Sequence, residues 1–229
     1  MRSPRLLAAA IATALAAALL WPASPASADL NGPVMYGNPG DVPIIGQWSL
    51  GGDDIGVYRP SNQTFYFSEG YSPLVYGNPG DVPLVGNFHN RPLSHLGVYR
   101  PGNQTFYVQY KDPVMFGNPG DRPIVGDWNG DGIDEIGVYR PGNQTFYRAG
   151  YPPITFGNPG DVPLIGDWNG NGIADVGVYR PGNQTFYLTG YNPIRFGNPR
   201  DVPIVGDWNG NGTDDIGVYR PGNQTFYPF

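Results

Sequence analysis

Apolar and polar positions alternate along this chain in short bursts, and the bursts recur as a set. From residue 33 onward they come in groups of four. In the third group they are Pro113-Val114-Met115-Phe116, Arg122-Pro123-Ile124-Val125-Gly126, Glu135-Ile136-Gly137-Val138-Tyr139-Arg140 and Gln144-Thr145-Phe146-Tyr147. β-Branched and aromatic residues dominate, and Ile136 and Val138 alternate with other types, which predicts short β-strands. Beyond the first 28 residues no segment has a helical period of useful length.

The groups are in register. Asn-Pro recurs at Asn38, Asn78, Asn118, Asn158 and Asn198, a constant spacing of 40 residues. Tyr-Arg-Pro follows at Arg59, Arg100, Arg140, Arg180 and Arg220, and Asn-Gln-Thr-Phe-Tyr at Asn62, Asn103, Asn143, Asn183 and Asn223. The first unit departs slightly: its middle loop is one residue short, and its segment after Tyr66 is one residue long. A unit of four short strands cannot bury both faces of its sheet, whereas stacked units can. The expected fold is all-β: a five-bladed β-propeller of four-stranded antiparallel blades. A linear β-solenoid is the alternative. The last unit ends after its fourth strand type, so the first strand near residue 34 is expected to complete the last blade and remove two open edges.

The connections carry turn chemistry. Pro-Gly in Arg-Pro-Gly-Asn predicts a type II turn, with type I in the first unit, where Ser61 replaces Gly. Asn-Pro-Gly-Asp predicts a second such turn, with Arg200 as the exception in the fifth unit.

Composition adds three constraints. Residues 1–28 read as a secretory signal peptide: Arg2 and Arg5, an apolar run from Leu6 to Leu20, and cleavage after Ala28. The mature chain is then 29–229, a single repeat domain in a secreted, bacterial protein with no membrane span. The absence of cysteine leaves stability to packing, hydrogen bonds or metal. A net charge of −6 disfavours nucleic acid as a partner and suits a protein that holds cations.

The candidate chemistry lies between the second and third strands. Asp127-Trp128-Asn129-Gly130-Asp131-Gly132-Ile133-Asp134-Glu135 fits D-x-N-x-[DN]-G-x-x-[DE]. Calcium takes oxygen ligands at 6–8 positions. Side chains at the first, third and fifth positions can converge on one ion if the chain curls, and glycine at the sixth permits the bend. The seventh offers a carbonyl and the ninth a carboxylate. The expected ligands are Asp127, Asn129, Asp131, Ile133 and Glu135 in the third unit. The fourth offers Asp167, Asn169, Asn171, Ile173 and Asp175, and the fifth Asp207, Asn209, Asn211, Thr213 and Asp215. That makes about three Ca2+ sites, the third unit's being tightest by carboxylate count. The alternative is a bare Asx-type turn. The first two units lack the pattern, and a flanking-helix EF-hand is excluded.

The run Gly-Asp-Trp-Asn-Gly-Asp-Gly-Ile-Asp-Glu-Ile-Gly-Val-Tyr-Arg-Pro resembles the FG-GAP/VCBS-type repeat of bacterial secreted proteins and is similar to the calcium loops of integrin alpha-subunit propellers. The resemblance covers most of residues 33–229, though its loop part matches only in units three to five. It implies a propeller with calcium in hairpin loops and no single function.

Other recurring residues divide between packing and binding. Trp48, Trp128, Trp168 and Trp208, with Phe88, are read as packing between blades rather than stacking on sugars. The five arginines are read as holding carboxylates, with Asp41, Asp81, Asp121, Asp161 and Asp201 as candidates. Tyr66, Tyr107, Tyr147, Tyr187 and Tyr227 are the candidate ligand-binding residues. His89 and His95 are read as surface loop residues. The expected function is a calcium-binding binding or adhesion module, lectin-like, with a glycan or surface polymer as partner. The alternatives are a purely structural module and, less favoured, a hydrolase. No Ser-His-Asp or cysteine nucleophile arrangement supports an enzyme.

Overall fold

The computed structural model describes residues 32–229 apart from 50, 70, 90 and 92. The proposed signal peptide and its cleavage point lie outside the described residues. Strand β1 (Val34–Met35) is followed by four full blades. Blade 1 is β2 (Val42–Gly46), β3 (Asp54–Arg59), β4 (Thr64–Phe67) and β5 (Leu74–Val75). Blade 2 is β6 (Val82–Gly86), β7 (His95–Arg100), β8 (Thr105–Val108) and β9 (Val114–Met115). Blade 3 is β10 (Arg122–Gly126), β11 (Glu135–Arg140), β12 (Thr145–Arg148) and β13 (Ile154–Thr155). Blade 4 is β14 (Val162–Gly166), β15 (Asp175–Arg180), β16 (Thr185–Leu188) and β17 (Ile194–Arg195). Blade 5 is β18 (Val202–Gly206), β19 (Asp215–Arg220) and β20 (Thr225–Pro228), with β1 as its fourth strand.

Each sheet is antiparallel. The first strand of each blade touches its counterparts on both sides: β2 meets β6, β6 meets β10, β10 meets β14, β14 meets β18, and β18 meets β2. This closed cycle makes a five-bladed propeller and excludes the solenoid. The N-terminal strand closes it, pairing Val34 with Phe226 and Met35 with Thr225.

The inner strands show why the sequence builds this ring. Each carries proline at its second position, Pro43 to Pro203. Proline is tolerated there because the strand is the blade's edge and needs no second ladder. Each ends in glycine, because a Cβ would collide with the next blade. At Gly126 it would lie 2.7 Å from Ile165, and at Gly206 2.6 Å from Ile45. The core is correspondingly a set of clusters between blades. Ile124, Trp128, Tyr139 and Phe146 of blade 3 pack on Val176 and Val178 of blade 4. Ile204, Trp208, Tyr219 and Phe226 pack on Ile55 and Val57, which seals the ring. The tryptophans are therefore core residues, 3–4% exposed, as the sequence reading proposes.

Two local expectations are corrected. The outermost strands span two residues, not four, because they pair on one side only. The Arg-Pro-Gly-Asn turn is not type II. Asn143 N–H donates to Arg140 O, yet Gly142 has no positive φ. The left-handed residue is Gln144, at φ 52°, its amide donating to Pro141 O at 2.6 Å. Glutamine repeats this in all five units. The fourth strand accordingly begins at Thr145, one residue later than expected.

The Asn-Pro-Gly-Asp turn is as expected: Gly40, Gly80, Gly120 and Gly160 lie at φ 86–90°. Arg200 is forced to φ 75° in the fifth unit. A left-handed L-residue costs roughly 1–2 kcal/mol. Arg200→Gly should therefore stabilise the fold by about 1 kcal/mol, raising Tm by about 2–4 °C. An unchanged or lower Tm in a thermal scan would contradict this.

Candidate metal centre

In the three acidic loops the chain curls through two left-handed glycines each. Gly130 and Gly132 lie at φ 78° and 82°, Gly170 and Gly172 at 71° and 80°, Gly210 and Gly212 at 69° and 81°. Only glycine enters that region without penalty. The double bend folds the loop over its own first residue. In the third loop, Asp127 accepts N–H bonds from Gly130 at 2.6 Å and Gly132 at 2.7 Å. In the fourth, Asp167 accepts from Gly170 at 2.8 Å and Gly172 at 2.7 Å, and in the fifth Asp207 accepts from Gly212 at 2.8 Å. The fifth-position side chain accepts the N–H of the seventh: Ile133 to Asp131, Ile173 to Asn171, Thr213 to Asn211.

The curl brings side chains of the proposed set together. One carboxylate oxygen each from Asp127, Asp131 and Glu135 lie within 4.8 Å of one another, among the described residues the one such acidic cluster. The third-position amide reaches the ninth-position carboxylate in every loop. Asn129 donates to Glu135 at 2.6 Å, Asn169 to Asp175 at 2.7 Å and Asn209 to Asp215 at 2.9 Å.

This donor set fits a hard cation. Every side chain offers oxygen, and an amide turned about its terminal bond presents its oxygen where its nitrogen now lies. The electrostatics agree. Burial raises the pKa of Glu135, and the charges of Asp127 and Asp131 add to it. Burial also raises Asp175 and Asp215. A bound cation would reverse these shifts.

Among the described residues the first two units lack this geometry. In the first, Asp54 stands in place of the ninth-position carboxylate, its loop being one residue short, and accepts from Trp48 N, Ser49 N and Ser49 Oγ at 2.9–3.1 Å. In the second, His95 takes that position, its ring 4.7 Å from that of His89, and His89 Nε2 is bonded to Gln109 O.

The candidate tyrosines lie at the opposite end of the blades, each within a repeated unit. Arg59 donates twice to Asp41 at 2.8 Å, and its guanidinium covers the Tyr66 ring at 4.3 Å. The Tyr66 hydroxyl accepts from Asn62. Tyr107, Tyr147, Tyr187 and Tyr227 are covered in the same way, at 4.3–4.4 Å. One face of each ring is thus taken by its own arginine.

Two cavities adjoin the loops. A groove of about 420 Å³ beside the third loop is lined by Phe88, Phe106, Val108, Lys111, Asp131 and Glu135, among others. The mouth of the central channel, about 350 Å³, is lined by Asp53, Asp134 and Asp214. Sequence reasoning overlooked these three aspartates. Each directly precedes the carboxylate that opens its blade's second strand, and neighbours in extended chain face opposite ways, so one serves the loop and the other the channel. Burial pushes Asp53 up to about 7, with help from Asp214, and Asp134 and Asp214 up to about 6.

No family model matches the chain, and no curated protein matches it. Among solved structures, a chain in the crystal structure of BBS1N in complex with ARL6DN, soaked with lead, is similar over 86% of this chain and 69% of that one. Its identity to this chain is 10% and the TM-score 0.39.

Proposed function

We propose that the chain is a secreted, calcium-binding propeller that works as a binding or adhesion module for a glycan or surface polymer, without catalytic activity. The carrying observation is the convergence of Asp127, Asp131 and Glu135 within 4.8 Å, in a loop whose pattern recurs twice more in register. The 420 Å³ groove beside that loop gives a polyol both an apolar floor and an ion within reach. Weak sites presented on one rigid ring gain strength through avidity on a polymer.

The test is retention of the mature protein on a broad glycan array, with calcium and with chelator. Retention that chelator abolishes is the expected result. No retention on any glycan in calcium would remove the glycan reading and favour a purely structural module. The burial of the tryptophans and the arginine cover over the tyrosines already lean towards that second reading.

A further inference from the structure

The loops do not stand alone; each is gripped by the blade that follows. The residue just before the second strand of one blade, eighth in the loop or seventh in the shortened first loop, faces the first loop position of the preceding blade at the channel mouth. Asp214 N–H donates to Asp167 O at 2.9 Å, and Asp167 N–H donates back to the Asp214 carboxylate at 2.7 Å. Asp134 grips Asn87 in the same two-way fashion, at 2.8 and 2.6 Å. Ser94 and its hydroxyl grip Gln47, both at 2.9 Å. At the seam between blades 3 and 4 only the main-chain half exists, from Ala174 N–H to Asp127 O at 2.7 Å.

The seam between blades 5 and 1 differs from the other four. The chain crosses it too, from β1 into β2, but β1 is joined to the rest of blade 5 only through its pairing with β20. Here the joined residues are far apart in sequence: Asp53 N–H donates to Asp207 O at 2.7 Å, and Asp207 N–H to Asp53 Oδ2 at 3.0 Å. Elsewhere the closure is held by the Trp208 cluster, the two register pairs of β1 with β20, and Tyr36 N–H, which donates to Gln224 O at 2.8 Å. The first unit's loop is shaped to this task. A Cβ on Gly52 would lie 2.6 Å from Asp207 O and 3.0 Å from Gly210 N, so only glycine allows it to lie on the fifth loop. The shortened first loop is a pad for its neighbour.

Asp207 is also the first-position ligand of the fifth loop, its carboxylate turned onto Asn211 N at 3.0 Å and Gly212 N at 2.8 Å. Its main chain is fixed by Asp53 while its side chain serves the loop. We propose that Asp53 is a positioning residue for the cation of the fifth loop, and that filling this loop latches the ring where its first and last blades meet. The inference rests on the calcium reading above. Outer-shell partners that orient a ligand typically change metal affinity by about 10–100-fold. Linkage makes the effect reciprocal: whatever the closed seam adds to calcium affinity, calcium adds to seam closure.

The test uses a background in which only the fifth loop can bind, the double variant Asp127→Ala, Asp167→Ala. Calcium binding is measured by calorimetry, and amide exchange is followed at Tyr36, Asp53 and Ala174. In this background Asp53→Ala should weaken binding by about tenfold or more. Asp53→Asn keeps an oxygen for the Asp207 N–H and should restore most of the affinity. Asp134→Ala removes the equivalent two-way grip between blades 2 and 3, in a loop already silenced by Asp127→Ala, and should leave the fifth loop unchanged. Adding calcium should slow exchange at Tyr36 and Asp53 but not at Ala174. No binding in the background protein would sink the calcium reading of this loop and the latch with it. Binding that Asp53→Ala leaves intact, or that Asp134→Ala weakens equally, would overturn the latch alone.

Discussion

Asp161→Ala should cost the propeller about 3–5 kcal/mol, the penalty for removing one partner of a buried ion pair. The Asp161 side chain is 1% exposed and holds both forks of Arg180, Nε and Nη2, at 2.9 Å. It also accepts Asn158 N–H at 2.8 Å, fixing the turn that enters blade 4. Its removal strands a guanidinium and an amide together. Arg180 keeps 28% of its side-chain surface in solvent, so water relieves part of the loss and the lower end of the range is expected. Asp161→Asn keeps one acceptor and should cost less. Urea unfolding reads this as a lower midpoint at constant m. A loss below about 1 kcal/mol, the value of a surface pair, would show that the repeated Arg–Asp pair is ornamental.

The parts of this molecule that were legible in the sequence are those fixed by repetition. A 40-residue period with four strand-like bursts leaves few ways to bury both faces. The displaced first strand indicated how the ring closes, as Val34 opposite Phe226 shows. The Arg–Asp partners were legible because both recur in every unit, 19 residues apart in four and 18 in the first, whose loop is one residue short. What failed was local. Pro-Gly favours a type II turn in isolation, but the loop from Arg140 to Thr145 needs its left-handed residue at the end, and Gln144 supplies it. Ser61 in the first unit was the available hint, since a turn that tolerates serine there does not need positive φ. The grip of Asp53 on Asp207 was not legible, because its partners lie 154 residues apart and nothing in either loop names the other. The role of the fourth-position glycine was likewise invisible until its φ of 78° in Gly130 was seen.

Thermal unfolding in calcium should lie far above unfolding in excess chelator. A ligand that binds the native state alone adds about 2.7 kcal/mol per site at a hundredfold excess over its dissociation constant. Three independent loops would add roughly 8 kcal/mol, equivalent to roughly 15–30 °C in Tm for a domain of this size. The apo loops supply the reason for a large response. Asp127, Asp131 and Glu135 repel one another within 4.8 Å, and Glu135 already resists ionisation. An ion turns that repulsion into attraction. The triple variant Asp127→Ala, Asp167→Ala, Asp207→Ala should lose nearly all of the shift. Among single variants Asp127→Ala should lose the most, because its loop carries three carboxylates where the fourth and fifth carry two at the ligand positions. An unchanged transition would mean that the amide bonds to Asp127, and that of Asn129 to Glu135, are the whole purpose of these loops. Stability would then rest on the inter-blade clusters and the five buried ion pairs.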